Sequence, residues 1–185
     1  AKSLRLAGET ILFSHTSRDV QTIRLNEQAI NEIKLAMKDY LARLTRRQLS
    51  KRQAIFVQYI DRSMSALRIG DHIETLCTLS LRRQQSSGAI VDRLSFSIFF
   101  QLYEAVRHVF KLLIQSFDPD LEDRAAVADR LLAAHDDYMQ GSLATRNHFN
   151  EEVSRRAMTP VAGMYFSEYI AALDRIVRHS KSIAL

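Results

Sequence analysis

The sequence predicts an all-α protein, and three observations support this fold class. The 185 residues include only 5 glycines and 2 prolines, fewer than average usage would give, so few positions interrupt a helix. Apolar residues recur at helical spacing through most of the chain. No alternating apolar and polar segment is long enough to predict a strand.

The first half is predicted to hold a shortened opening helix and two long helices. The segment SLRLAGETILF (3–13) has the pattern of the short opening helix. A second helix is expected after Ser17 and ends in the basic segment TRRQLSKR (45–52), where cations suit a helix C-terminus. Ser50 is the expected N-cap of the next helix, which spans 51–84. The apolar face of the second helix is formed by Ile23, Ile30, Ile33, Met37, Tyr40, Leu41 and Leu44.

The segment QQSSG (84–88) is the clearest linker in the chain, since it combines small and polar residues with a glycine. It divides the chain into a first helical unit, 1–86, and a second, 89–185. A helix over 90–117 follows the linker, and it is apolar around a wide arc. We therefore expect it to be central.

Both prolines occupy positions where a helix is expected to begin. Asp118 and Pro119 predict the start of a helix that extends to 157, with a break near Gly141. Thr159 and Pro160 repeat this chemistry and predict a last helix over 160–184.

Composition limits the classes of function. The net charge is +5 and the isoelectric point is near 9.6, but the 21 acidic residues are interspersed and no basic stripe with interleaved aromatics occurs, so nucleic-acid binding is not expected. The single Cys77 cannot form an internal disulfide and indicates a reducing compartment. The sequence contains no run of 18 apolar residues, so no membrane-spanning helix is predicted.

A short sequence motif, called a phrase below, occurs twice in the chain. ALRIGDHIETL (66–76) corresponds to ALDRIVRHSKSIA (172–184), with Arg68 and Ile69 aligned to Arg175 and Ile176 at an offset of 107 residues (175 − 68). The same offset aligns His72 with His179. An internal repeat of this size predicts a duplicated helical bundle.

These two phrases resemble the L-E-R-I-G-D-H phrase of PhoU-like proteins. The stretch 159–184 is similar to the final helix of that family along its whole length. Together with RNHFNEEV (146–153), it resembles the C-terminal cytosolic domain of sodium-phosphate cotransporters. The resemblance implies two antiparallel three-helix bundles related by pseudo-symmetry, the first with a shortened opening helix.

The resemblance also implies a metal-binding motif in which an acid is followed four residues later by an aspartate. Positions i and i+4 share a helix face, and paired carboxylates suit a divalent or ferric cation. Each copy is incomplete: Leu67 precedes Asp71, and Asp174 precedes Arg178. If a metal binds, the implied ligands are Asp71 with Glu27 of the adjoining helix first, and then Asp174. Asn31 stands where the family has a second acid on that adjoining helix.

Other interpretations of the same residues stay open. Gly70 and Asp71 also suit a helix–helix contact in which the aspartate is paired with a neighbour, and Asp174 is spaced for an i,i+4 ion pair with Arg178. His72 and His179 are expected on the rim of their helices.

Two further groups of polar residues have the composition of a possible site. Asp136 and Asp137 are the nearest acids to the second motif, and with His135 they form a dyad like that of metal phosphohydrolases. Glu104 and His108 are spaced for one metal. No catalytic residue is predicted.

The expected function is that of a non-enzymatic regulatory domain in phosphate uptake, at the cytoplasmic face of the cell membrane. Its expected partner is the transmembrane transport domain of the same or another chain, with the anionic membrane surface and a homo-oligomer as further associations. One alternative is a free-standing PhoU-like regulator of a phosphate transporter and its sensor kinase. The other is a metal-dependent hydrolase.

Overall fold

The computed structural model describes residues 2–12, 17–46, 49–64, 68–86, 93–118 and 120–184. Within these ranges all regular structure is helical and no strand occurs, so the predicted all-α class is confirmed. The helices are α1 (Lys2–Leu12), α2 (Ser17–Thr45), α3 (Lys51–Met64), α4 (Arg68–Gln85), α5 (Arg93–Ser116), α6 (Arg124–Ser154) and α7 (Pro160–Ala184).

Two of the predicted helix starts are confirmed by their capping bonds. The backbone N–H of Gln53 donates to Ser50 Oγ (3.3 Å), while the N–H of Ser50 donates to Gln53 Oε1 (2.9 Å). This reciprocal pair is a capping box at the start of α3. At α7, the N–H of Ala162 donates to Thr159 Oγ1 (3.1 Å), which fixes the start at Pro160.

The predicted start of the sixth helix was wrong. The N-cap is Asp123, whose side chain accepts from the N–H of Ala126 (2.9 Å), so α6 begins at Arg124. Asp118 instead accepts from the N–H of Asp120 (3.1 Å) and closes a local turn. The predicted break near Gly141 was also wrong, because α6 continues through it to Ser154.

The segment predicted as one helix over 51–84 is described as α3 and α4, and the intervening residues 65–67 lie outside the described ranges. Leu67, one position of the first motif, is therefore not described. The linker prediction falls partly on residues 87–92, which also lie outside these ranges.

The helices pack in two groups that meet along α4 and α7. Helices α1, α2 and α4 contact one another, and so do α5, α6 and α7. Contacts between α4 and α7 join the groups, with a smaller contact between α1 and α5. Helix α5 has eight buried residues between Ser95 and Leu113, whereas Leu94, Phe100 and Ile114 on its wide apolar arc are exposed.

A buried tyrosine fixes α1 against α5. The hydroxyl of Tyr103 donates to the backbone carbonyl of Leu4 (2.7 Å). A Cβ at Gly8 would lie 2.0 Å from the ring of Tyr103, so only glycine lets α1 approach this closely. Cys77 is buried in the adjoining core.

Among the described residues, no helix combines the length and the apolar character that crossing a bilayer requires.

Candidate functional site

A cluster of acidic and amide side chains lies between α2 and α4. Helix α2 presents Glu27, Asn31 and Lys34 at positions i, i+4 and i+7, which share one helix face. Helix α4 presents Asp71, and the structure brings it together with Glu27 as the resemblance implies. Glu27 is buried, with only 5% of its surface exposed. The Nδ2 of Asn31 donates to Glu27 Oε1 (3.1 Å), and Lys34 Nζ lies 3.4 Å from Asp71 Oδ2.

Gly70 makes this arrangement possible. A Cβ at position 70 would lie 2.1 Å from Glu27 Oε2 and 3.0 Å from its Cδ. The carboxyl group of Glu27 therefore rests in the space that any larger residue would occupy. The sequence predicts that Gly70 permits a close approach, and the group that approaches is this side chain of α2.

The environment of Glu27 favours its protonated form. Burial, a hydrogen bond with Asp71, and repulsion from Asp71 and Glu74 raise the pKa of Glu27 to about 7, although Lys34 opposes the shift. Glu27 therefore keeps its proton up to near neutral pH, and its carboxyl group is hydrogen-bonded to Asp71. Glu27 lines an adjoining cavity of about 130 Å³ together with apolar side chains that include Ile23, Ile69 and Phe110.

The cluster fits a protonated Glu27 better than a divalent or ferric ion. The ammonium group of Lys34 is paired with Asp71 and would repel a second cation. The amide that stands at position 31 already donates to Glu27. Within the described ranges, no three His, Cys, Asp or Glu side chains converge as a metal-binding group. The predicted metal ligation by Asp71 and Glu27 stays a prediction, and it is one that this geometry does not favour.

The third predicted ligand, Asp174, lies in a separate cluster between α6 and α7. Its Oδ1 accepts from the hydroxyls of Tyr138 (2.9 Å) and Ser142 (2.7 Å), and its Oδ2 accepts from Arg146 Nη2 (2.7 Å). The ion-pair partner is therefore Arg146, and the predicted pairing of Asp174 with Arg178 was wrong. Burial and the Asp174 charge hold the pKa of Tyr138 far above its ordinary value, so this hydroxyl stays a donor.

His72 and His179 meet at the contact between α4 and α7. Their rings stack with centroids 5.4 Å apart and planes 14° apart. Burial, His179 and Arg175 hold the pKa of His72 below its ordinary value, while burial and Arg68 do the same for His179. Each histidine thus faces the arginine of the opposite phrase, and Asp71 partly offsets both shifts.

The other polar residues that the sequence offered as a possible site contact nearby charged side chains. His135 Nδ1 lies 2.7 Å from Asp136 Oδ1, and Lys181 Nζ lies 3.8 Å from the same oxygen. Glu104, which was weighed as a metal ligand with His108, accepts from Arg107 Nη1 (2.6 Å).

Sequence reasoning missed the cations that engage the two acids. Lys34 could have been found, because its spacing from Glu27 places it on the same face of α2. Arg146 lies within the RNHFNEEV segment that carries part of the resemblance, but its contact with Asp174 spans 28 residues, and helical spacing gives no signal for it.

Comparison of the chain with protein-family models, with curated proteins and with solved structures finds no match. The PhoU-like resemblance therefore depends on the two phrases and on the residues around them.

Proposed function

We propose that the chain is a PhoU-like domain built from two related three-helix bundles, α1–α2–α4 and α5–α6–α7. The observation that carries the proposal is the stacking of His72 on His179. In an arrangement with two-fold symmetry, equivalent residues meet each other at the axis. The two histidines are the equivalent residues of the repeated phrases, and their contact is the one such an axis predicts.

The pairing of the other helices supports the same arrangement. The contacts of α1 with α2 and α4 correspond to those of α5 with α6 and α7. Ile69 and Ile176, also equivalent in the two phrases, are both buried, at 3% and 0% exposure. The bundles differ in their opening helices, since α1 has 11 residues and α5 has 24.

The domain is proposed to act as a non-enzymatic cytosolic regulator of sodium-dependent phosphate uptake, through contact with a transmembrane transport domain. The two retained acids of the motifs are engaged by Lys34 and Arg146, so the proposal assigns the domain to contact rather than to chemistry. The proposed contact surface includes α3, where Ile55 and Phe56 are 67% and 56% exposed.

Phosphate uptake by cells tests the proposal. Deleting the gene and restoring the complete gene product should change sodium-dependent uptake of labelled phosphate and then return it to normal. The double variant Ile55→Asp and Phe56→Asp should fail to restore normal uptake. The control Leu143→Asp changes a side chain on α6 that is similarly exposed, at 62%, and should restore it.

Uptake that is the same with and without the gene would overturn the proposal. Recovery of the intact protein with a separate transporter polypeptide would support the alternative of a free-standing regulator. Phosphoester hydrolysis that depends on stoichiometric metal would support the alternative of a metal-dependent hydrolase instead.

A further inference from the structure

A groove between α1 and α5 has the size of a ligand site. Its volume is about 550 Å³, within the range of about 300–1,000 Å³ that is usual for small-molecule pockets. Neither the metal-ligand prediction nor the proposed function uses it, although Phe110 lines both this groove and the cavity beside Glu27. Its described lining residues combine cationic and apolar side chains.

The groove carries an excess of positive charge. Arg5, Arg107 and Lys111 contribute three cations, and Glu104 contributes one carboxylate. That carboxylate accepts from Arg107 Nη1 (2.6 Å), so cations outnumber acids by three to one among the described lining residues. Cations next to a concave, partly apolar wall attract anions more strongly than cations on an open surface, because the wall lowers the local dielectric.

Apolar side chains form part of the groove wall, beside the polar His108 and Gln115. Phe110 packs against the hydrophobic core, and Leu4 lines the groove although it is only 2% exposed. Ile114 is 46% exposed, although it follows Lys111 by three residues and Arg107 by seven on the same face of α5. Seven residues of helix rise about 10 Å, so the cations and Ile114 stand at successive positions along one groove.

We propose that this groove binds an amphiphilic anion, a molecule with one acidic head group on an unbranched apolar chain. The head group lies against Arg107 and Lys111, and the chain lies over Leu4, Phe110 and Ile114. A small inorganic anion would leave the apolar wall exposed to water. A neutral chain would make no use of the cations. Only a ligand with both parts is complementary to both features.

Calorimetric titration of the complete chain with dodecanoate, below its micelle concentration, tests the proposal. Dodecanoate should bind saturably, whereas dodecanol and dodecyltrimethylammonium should bind much more weakly. A parallel titration with dodecyl phosphate distinguishes a carboxylate head group from a phosphate head group. The tighter of the two anions identifies the head group that the groove prefers.

Two substitutions with matched controls locate the site. Lys111→Glu should weaken dodecanoate binding at least about tenfold, which corresponds to about 1.4 kcal/mol, while Lys51→Glu on α3 should leave it unchanged. Ile114→Ser should weaken binding of the chain, while Ile55→Ser should not. All four side chains are exposed or largely exposed, so the variants should fold.

The proposal is overturned if neither dodecyl anion binds, if the cationic amphiphile binds as tightly as the anions, or if Lys111→Glu and Lys51→Glu give the same affinity. These outcomes are independent of phosphate uptake, so failure here leaves the proposed function standing.

Discussion

The cluster at Asp71 and the cluster at Asp174 both pair an acid with a cation, but the other partners of the two acids differ. Both hold a single acid from a repeated phrase, and both pair it with a cation from the preceding long helix, Lys34 on α2 and Arg146 on α6. Around Asp174, two hydroxyls and one guanidinium donate to the carboxylate. Beside Asp71 lies a second, buried carboxyl group, that of Glu27.

This difference makes the cluster at Asp174 a structural one and the cluster at Glu27 and Asp71 a titratable one. Donors surround Asp174, so its charge is compensated by fixed partners. Glu27 is buried beside an acid, and both conditions favour its protonated form. The cluster at Glu27 and Asp71 should therefore make the stability of the protein depend on pH near neutrality.

The largest expected effect comes from removing Asp174. Asp174→Ala leaves Arg146, Tyr138 and Ser142 without their acceptor, and it should lower the free energy of unfolding by about 3 kcal/mol. Urea denaturation measures this change. Asp39→Ala, which removes an exposed ion pair with Arg43, should cost less than about 1 kcal/mol. Equal losses in the two variants would show that the Asp174 cluster is not structural.

The second effect concerns the pH dependence of stability. Folding raises the pKa of Glu27 from 4.5 to about 7, so the folded protein keeps a proton that the unfolded chain has released. Stability from this group is complete below pH 4.5 and falls as pH rises to about 7, by at most about 1.4 kcal/mol per pH unit. Glu27→Gln should remove this slope, because the amide does not titrate.

Unfolding curves of the wild type and of Glu27→Gln across that pH window measure the difference. Glu32→Gln, at an exposed position on α2, is the control and should follow the wild type. The two histidines add a slope of opposite sign below pH 6.5, but it is common to all three proteins and cancels in the comparison. Parallel curves for the wild type and Glu27→Gln would disprove the raised pKa of Glu27.

A third, smaller effect separates two helical glycines. Gly70→Ala must displace the buried carboxyl group of Glu27 and should cost about 1–2 kcal/mol, despite the better helix propensity of alanine. Gly141→Ala meets nothing closer than Leu102 Cδ1 at 3.8 Å and should stabilise the protein by about 0.5–1 kcal/mol. Thermal unfolding measures both, and the same sign of change in both would contradict the close approach at Gly70.

The smallest expected effect is a change in the pKa values of His72 and His179, which meet at the contact between α4 and α7. His179→Ala should raise the pKa of His72, because it removes a neighbouring titratable ring and opens the site to water. Arg68→Ala should likewise raise the pKa of His179. Nuclear magnetic resonance titration of the remaining histidine gives each value. Unchanged values would mean that the stacked pair is not formed in solution.

Helix positions could be predicted where a local signal had no competitor. Ser50 and Thr159 are such signals, and both cap helices. The start of α6 was harder to predict, because two residues that commonly cap helices, Asp118 and Asp123, lie five positions apart. Asp118 binds within its own turn, and only the folded chain shows which of the two begins the helix.

The candidate site was predictable to a smaller extent. Glu27 and Asp71 follow from the family resemblance, and their meeting depends on Gly70, whose role as a place of close approach is visible in the sequence. The stack of His72 on His179 and the contact of Arg146 with Asp174 depend on how distant helices pack. Such pairings arise from tertiary packing, which spacing along a single helix does not encode.

The side chain of Phe110 borders both the groove of about 550 Å³ and the cavity of about 130 Å³ beside Glu27. A single aromatic ring is thus in contact with both spaces. Burial is the largest cause of the raised pKa of Glu27, so a ligand that displaced this ring would alter that burial and, with it, the protonation of a side chain on α2.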